Sequence, residues 1–161
     1  MRILSNHDEK EAMKFISHAM DVAKNSPCFR SKCGSIIVKD GIIIGEGFNA
    51  PPLGKKLDRC FKDDIPKNFK SDRSCCIHAE ERAIMEALRK HHDKIVGSRL
   101  YFIRLDTATD EKMYAGQPFC TICSKMALDS GIKEFVLWHK EGITVYDTDE
   151  YNDLSFKYRD N

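Results

Sequence analysis

Two short stretches of the sequence combine side chains that bind transition metals. Cys120 and Cys123 stand three residues apart at the predicted start of one helix, and His78 stands at the predicted start of another. A helix N-terminus carries partial positive charge, which lowers the pKa of a thiol and favours the thiolate that binds metal. One imidazole and two thiolates suit the tetrahedral preference of zinc. If the two helix starts face each other, we expect these three residues to bind one zinc ion.

Glu80 follows His78 by two residues and is the expected proton carrier of this site. Residues at that separation do not share a face of a regular helix, so we place Glu80 beside the metal rather than on it. Three protein ligands leave a fourth position for water, which is typical of a catalytic zinc rather than a structural one. Water bound to zinc ionises near pH ~7. Glu80 could then take a proton from this water and pass it to a leaving group.

Three other interpretations fit parts of the same pattern. A Cys-x-x-Cys pair at a helix start is also typical of a thioredoxin-like redox site. A structural zinc site would need a fourth ligand, which Cys75 or Cys76 could supply. His78 could also be a buried histidine that binds no metal. The His-x-Glu stretch, which lies upstream and also opens a helix, favours the catalytic zinc.

With these motifs the chain resembles the zinc-dependent cytidine/deoxycytidylate deaminase superfamily. The His-x-Glu at residues 78–80 matches the first motif of that family, and the Cys-x-x-Cys at residues 120–123 matches the second. Together they form the signature of zinc nucleobase deaminases. The resemblance implies a catalytic zinc with the ligands His78, Cys120 and Cys123, and a proton shuttle at Glu80.

The nearest resemblance within the superfamily is to the deoxycytidylate (dCMP) deaminase branch. Residues 26–30 and 47–52 are similar to segments of that branch, in which the asparagine that matches Asn49 lines the substrate pocket. The implied reaction is hydrolysis of an aminopyrimidine nucleotide or nucleoside, above all of dCMP to dUMP and ammonia. The backbone N–H groups of Ala79 and Cys120, at the helix starts, are candidates for stabilising the tetrahedral intermediate. Candidates for holding a 5′-phosphate are Arg30, Lys55, Lys56 and Arg73.

Other functions remain open at this point. The same chemistry could act on guanine, on a free nucleoside or on a nucleoside-like metabolite. A non-catalytic, zinc-stabilised binding module and a redox dithiol protein are alternatives from other classes. Deamination of nucleic acid is not expected, because the net charge is +1 and no basic stripe is interleaved with aromatic residues.

Three features depart from the pattern of the dCMP deaminase branch and bear on the choice of substrate. Phe119 separates Pro118 from the first cysteine of the Cys-x-x-Cys motif, where the family usually has proline. Arg82 stands where dCMP deaminases tend to have asparagine. The connection at residues 106–117 is longer than the usual link and should lie near the pocket mouth.

A second, structural zinc is a further implication of the resemblance, because some dCMP deaminases carry one in a long insert. The alternative is that the cysteines here are buried thiols without a metal. The residues concerned are Cys28, Cys60, Cys75 and Cys76.

The predicted elements indicate an α/β fold. Asp40-Gly41 is a strong hairpin signal between two β-branched stretches. Helices alternate with strands in the second half, so we expect parallel crossovers and a mixed sheet with helices on both faces, the three-layer α-β-α arrangement that the resemblance implies. The expected helices are 8–25, 78–90 and 118–131, and the later strands are 99–105, 133–138 and a short edge strand at 142–146.

A chain of 161 residues predicts a single deaminase domain. Within it we expect a catalytic core at about 8–140, an insert or lid at 53–74 and a tail at 147–161. No apolar run approaches the ~20 residues that span a bilayer, and the start lacks a signal-peptide core, so we expect a cytoplasmic protein without a membrane partner. The seven cysteines are an odd number, which favours free or metal-bound thiols over a disulfide framework. The family resemblance implies a homo-oligomer.

Overall fold

A computed structural model describes residues 1–66 and 75–158. Its centre is a mixed sheet of seven strands in the order β1-β7-β6-β4-β2-β3, with β5 paired to β4. Strands β4 and β6 run parallel, and the other pairs are antiparallel. The strands are β1 (Arg2–Ile3), β2 (Lys32–Lys39), β3 (Ile42–Phe48), β4 (Arg99–Leu105), β5 (Lys112–Met113), β6 (Glu134–His139) and β7 (Gly142–Asp147).

Helices cover both faces of this sheet, which confirms the expected three-layer fold. The first helix packs on one face through a cluster that includes Ile16, Tyr101 and Val136. The second and third helices pack on the opposite face around Leu100 and Phe135. None of the helices that the structure describes is long and apolar enough to cross a membrane. The helices are α1 (Asn6–Ala23), α2 (Ala79–His91), α3 (Thr121–Asp129) and α4 (Thr148–Lys157), with short 3₁₀ turns at Pro52–Gly54 and Phe61–Asp64.

The turn between β2 and β3 forms as the sequence predicts. Asp40 and Gly41 both have positive φ, at 49° and 77°. This is the left-handed pair that a type I′ turn requires, and its twist matches that of the flanking strands.

Two parts of the second half differ from the sequence-based expectation. The strand expected at the edge, β7, is not an edge strand, because it pairs with β6 on one side and with the N-terminal strand β1 on the other. The tail forms the helix α4, which the sequence pattern did not predict. Tyr151 of this helix stacks on Phe135 with ring centroids 4.0 Å apart, so long-range packing stabilises the helix.

Glycine allows α2 to lie directly on β3. A Cβ atom at Gly47 would lie 2.3 Å from the Ala79 carbonyl oxygen and 2.5 Å from the Ala83 nitrogen. Both distances are shorter than any real contact, and both partners are helix backbone that cannot move aside alone. The close approach therefore fixes the start of α2 against the sheet.

We predict that Gly47→Ala destabilises the fold by about 1–3 kcal/mol, because the added methyl group overpacks this contact. The measurement is the urea midpoint of unfolding, with the slope of the transition unchanged. Gly116→Ala is the matched control, since a Cβ there meets nothing within 4 Å. Equal midpoints for the two variants would contradict the packing argument.

Candidate metal centre

The starts of α2 and α3 are both fixed by local hydrogen bonds. His78 is the N-cap residue of α2, and its backbone N–H donates to Glu81 Oε2 at 2.7 Å. Cys120 is the N-cap residue of α3, and its Sγ accepts from the backbone N–H of Cys123 at 3.4 Å. Both side chains therefore project from the positive end of a helix.

A small backbone bridge brings the segment before α2 to the end of β3. Ala50 and Ile77 exchange two backbone hydrogen bonds, at 2.9 and 3.2 Å. Ala50 lies two residues beyond β3, and Ile77 directly precedes His78. The bridge thus places His78, the first predicted ligand, next to the end of β3.

The three predicted ligands meet at one point. His78 Nδ1 lies 3.3 Å from Cys120 Sγ and 3.2 Å from Cys123 Sγ, and the two sulfurs are 2.9 Å apart. Within the described ranges this is the only group of three or more histidine, cysteine or acidic side chains whose ligand atoms lie within 4.8 Å of one another. One imidazole nitrogen and two sulfurs form a donor set that fits zinc and leaves one tetrahedral position for a non-protein ligand.

The charges of this group are tightly linked. The hydrogen bond from Cys123, helped by His78, lowers the pKa of Cys120 to about 4. The same contact raises the pKa of Cys123 well above its ordinary value. The Cys120 sulfur in turn raises the pKa of His78 to about 9. The site therefore holds a thiolate beside an imidazolium, and a metal ion must displace protons from His78 and Cys123 to bind all three.

Glu80 lies in the first turn of α2 and is almost fully buried. Burial raises its pKa to about 7, and the negative Cys120 sulfur adds to the shift. A bound cation would act in the opposite direction. A carboxyl group with a pKa near the working pH can both accept and release a proton.

Asn49 ties the end of β3 to the loop between α1 and β2. Its Oδ1 accepts from the backbone N–H of Cys33 at 2.7 Å, and its Nδ2 donates to the Ser31 carbonyl at 2.9 Å. The buried hydroxyl of Ser26 lies within 2.7 Å of both Asn49 oxygens. The sequence analysis included Ser26 in the segment 26–30 that is similar to the dCMP deaminase branch but gave it no role, although its place in Ser-Pro just after a predicted helix indicates a turn.

The other residues predicted to contact the substrate differ in their exposure and in their partners. Ala79 is fully buried as the first residue of α2. The exposed Arg30 forms an ion pair with Asp63 of the insert, so its charge is already partnered. Lys55 is exposed, and Arg73 lies outside the described residues.

Cys28, Cys60, Cys75 and Cys76 all line one small pocket together with Pro27. The Sγ atoms of Cys75 and Cys76 are 3.8 Å apart, and a hydrogen bond with Cys76 lowers the pKa of Cys28 to about 5. Among the described residues, no three of these sulfurs lie within 4.8 Å of one another. A second zinc held by these cysteines therefore stays an untested alternative, which the zinc content of the protein decides.

Comparison with known proteins decides the family. Residues 9–139 match the model of the cytidine and deoxycytidylate deaminase zinc-binding region. This chain belongs to the cytidine and deoxycytidylate deaminase family. It is accordingly a hydrolytic deaminase whose cofactor is zinc, and the group formed by His78, Cys120 and Cys123 is compatible with one zinc site.

Individual members of the deaminase family are similar over most of this chain. The deoxycytidylate deaminase of Mycobacterium phage D29 is 30% identical over 135 residues, which cover 79% of this chain and 92% of the phage protein. The deoxycytidylate deaminase of Saccharomyces cerevisiae is 28% identical over 127 residues, which cover 76% of this chain but 35% of the yeast protein.

Solved structures agree with this family assignment. The apo dCMP deaminase from the cyanophage S-TIM5 is 27% identical, with a TM-score of 0.55, and the match covers 81% of this chain and 82% of that one. A cytidine deaminase from Burkholderia pseudomallei has a TM-score of 0.58 at 15% identity, covering 91% of this chain and 96% of that one, which shows a shared fold.

We predict a single zinc per chain, because the described residues contain one group of three such ligand atoms within 4.8 Å of one another. Elemental analysis of the purified protein measures it. Cys123→Ser should lose this zinc, whereas Cys60→Ser should keep it. Two zinc ions per chain, one of them lost in Cys60→Ser, would instead show the second site. A metal-free protein with an oxidised Cys120–Cys123 pair would support the redox alternative.

Proposed function

We propose that this protein converts dCMP and water to dUMP and ammonia. The observation that carries the proposal is the meeting of one imidazole and two thiols within 4.8 Å, at two helix starts, in a member of the deaminase family. The similarity to deoxycytidylate deaminases from a phage and from yeast supports cytosine in a nucleotide as the substrate. One structure of the cyanophage enzyme, at 27% identity and with a TM-score of 0.54, is described as a complex with dCMP and dUMP, which supports the same choice.

His78, Cys120 and Cys123 hold the zinc in this proposal. When bound, zinc lowers the pKa of water to about 7 and so supplies a nucleophile at neutral pH. The two sulfurs come from one turn of α3, and the imidazole comes from the N-cap position of α2. Both cysteines are buried, whereas His78 is half-buried.

Glu80 moves the protons of the reaction. It accepts one proton from the attacking water and delivers it to N3 of the cytosine ring. It then takes the second proton from the hydroxyl group formed at C4 and delivers it to the amino group, which leaves as ammonia while the C4 carbonyl forms. Each transfer needs a group whose pKa lies close to the pH of the solution. Burial supplies this by raising the pKa of Glu80 to about 7.

The helix starts also stabilise developing negative charge. The first N–H groups of a helix have no partner within the helix. The backbone N–H groups of Ala79 and Cys120 lie at the starts of α2 and α3 and donate to the oxygen that forms at C4. This interaction is strongest in the tetrahedral intermediate, so it accelerates the reaction.

Asn49 forms one wall of the substrate pocket. Its oxygen is held by the Cys33 N–H, and one hydrogen of its Nδ2 is held by the Ser31 carbonyl. A second hydrogen on Nδ2 can donate to the sugar or to the base. Arg30 has a smaller part in phosphate binding, because the substrate would first have to displace Asp63.

The chain works as one domain in a homo-oligomer of the cytoplasm. Packing of α4 against β6 through Tyr151 and Phe135 supports including the tail in the domain.

Exposed apolar side chains on α2, Met85 and Leu88, support contact with a second copy of the chain. A single-chain mass by light scattering would contradict this contact. The described cysteines form no disulfide, which favours a reducing compartment, and fractionation of cells tests this.

We predict that dCMP has the highest kcat/KM in an ammonia-release assay of cytosine and purine compounds. The panel should contain dCMP, CMP, deoxycytidine, cytidine, cytosine, guanine and adenosine. Faster turnover of guanine or of free cytosine than of dCMP would contradict the proposed substrate.

We predict that Glu80→Gln keeps the fold and the zinc but lowers kcat by at least about 10²-fold, the usual contribution of a general acid–base group. The amide has nearly the same shape as the carboxyl group and cannot carry the proton. Glu11→Gln, on the exposed surface of α1, is the control for the charge change. Unchanged ammonia release in Glu80→Gln would remove Glu80 from this role.

A further inference from the structure

Arg104 is a charged residue at the carboxyl end of the strand that leads to the metal centre. It is the next-to-last residue of β4, and it pairs in register with Cys33 of β2 and Met113 of β5. Side chains alternate along a strand, so Arg104 shares a face with Leu100 and Phe102. That face is the one covered by α2 and α3, whose starts carry the predicted zinc ligands.

The guanidinium of Arg104 lacks a protein acceptor in the described part of the chain. Its Nε is buried and has no hydrogen-bond partner there. No salt bridge of the described residues includes it. A buried donor without an acceptor costs about 1–3 kcal/mol, and more when the group is charged. Such a cost is expected where a ligand supplies the missing acceptor.

Other arginine side chains around this end of the sheet already have acceptors. Arg30 pairs with Asp63, and Arg59 pairs with Asp64. Arg82 donates through Nη2 to the backbone carbonyls of Ala50 and Pro51, at 3.2 and 2.7 Å. Arg104 therefore differs from them in having its positive charge uncommitted among the described residues.

Cys33 connects Arg104 to the proposed active site. Its backbone N–H binds the Oδ1 of Asn49, and its side chain lies opposite Arg104 in the strand register. Burial raises the pKa of the Cys33 thiol, the charge of Glu80 raises it further, and the charge of Arg104 lowers it. Arg104 therefore lies across the strand pair from the residue whose backbone N–H holds Asn49.

We propose that Arg104 binds the 5′-phosphate of the substrate and so makes the enzyme prefer a nucleotide to a nucleoside. This rests on the proposed function, because it assumes that a cytosine nucleotide enters this pocket. A nucleoside monophosphate carries a charge of about −1.5 to −2 at pH 7. An anion of this charge loses its hydration when it enters a pocket, and a cationic partner compensates for that loss. A guanidinium does so with two parallel N–H donors that match two phosphate oxygens.

The test is Arg104→Gln, assayed with both dCMP and deoxycytidine. We expect KM for dCMP to rise roughly 10- to 100-fold, the loss of a charged hydrogen bond, with kcat changed much less. The phosphate lies away from the reacting carbon, so its contact contributes binding that is equal in the ground and transition states. Values for deoxycytidine should stay as in the wild type. Arg89→Gln, an exposed arginine in the last turn of α2, is the matched control and should leave both substrates unchanged.

The kinetic results distinguish a failure of the role of Arg104 from a failure of the proposed deaminase function. Equal losses for dCMP and deoxycytidine, or an unchanged KM for dCMP, would overturn the role of Arg104. If wild-type protein deaminates neither compound, the proposed function fails first. Zinc content and the thermal midpoint report whether Arg104→Gln folds. Should it not fold, Arg104→Lys keeps the charge without the two-donor geometry, and its KM should rise for dCMP alone. An Arg104→Lys enzyme equal to the wild type for dCMP would overturn the two-donor contact proposed here.

Discussion

Two helix N-termini, far apart in sequence, have to meet at one point for any of this chemistry to occur. The parallel pair β4–β6 positions one of these helix starts, because the crossover helix α3 must begin near the carboxyl end of β4. The bridge between Ala50 and Ile77 positions the other, because it holds the start of α2 at the end of β3. The positive ends of both helices then favour the thiolate and the carboxylate that lie between them.

The same arrangement concentrates negative charge where water is scarce. The Cys120 thiolate and Glu80 are both buried, and each makes the other more costly to ionise. A divalent cation relieves this conflict, which is why the three ligands fit a metal better than they fit a packed core. In its proposed role, Arg104 offsets the charge of an anionic substrate.

Features that depend on local sequence could be predicted, and features that depend on distant contacts could not. The turn at Asp40-Gly41, the strand Arg99–Leu105 and the metal motifs follow from neighbouring residues. The inner position of β7 depends on pairing with Arg2–Ile3, at the other end of the chain. The helix α4 depends on the stack of Tyr151 on Phe135. Arg104 had one sequence signal, a charge in an otherwise apolar alternating strand, but its lack of a partner appears only in three dimensions.

Each departure from the pattern of the dCMP deaminase branch has a local structural partner. The ring of Phe119 lies 5.7 Å from that of Tyr158, so the extra residue before Cys120 packs against the end of α4. Arg82 bonds the carbonyls of Ala50 and Pro51 and thus holds the loop that follows Asn49. The long connection at 106–117 contains β5, which extends the sheet beside Arg104. None of these contacts involves a side chain of the proposed zinc ligands, so the three departures concern the surroundings of the site and not the ligand set.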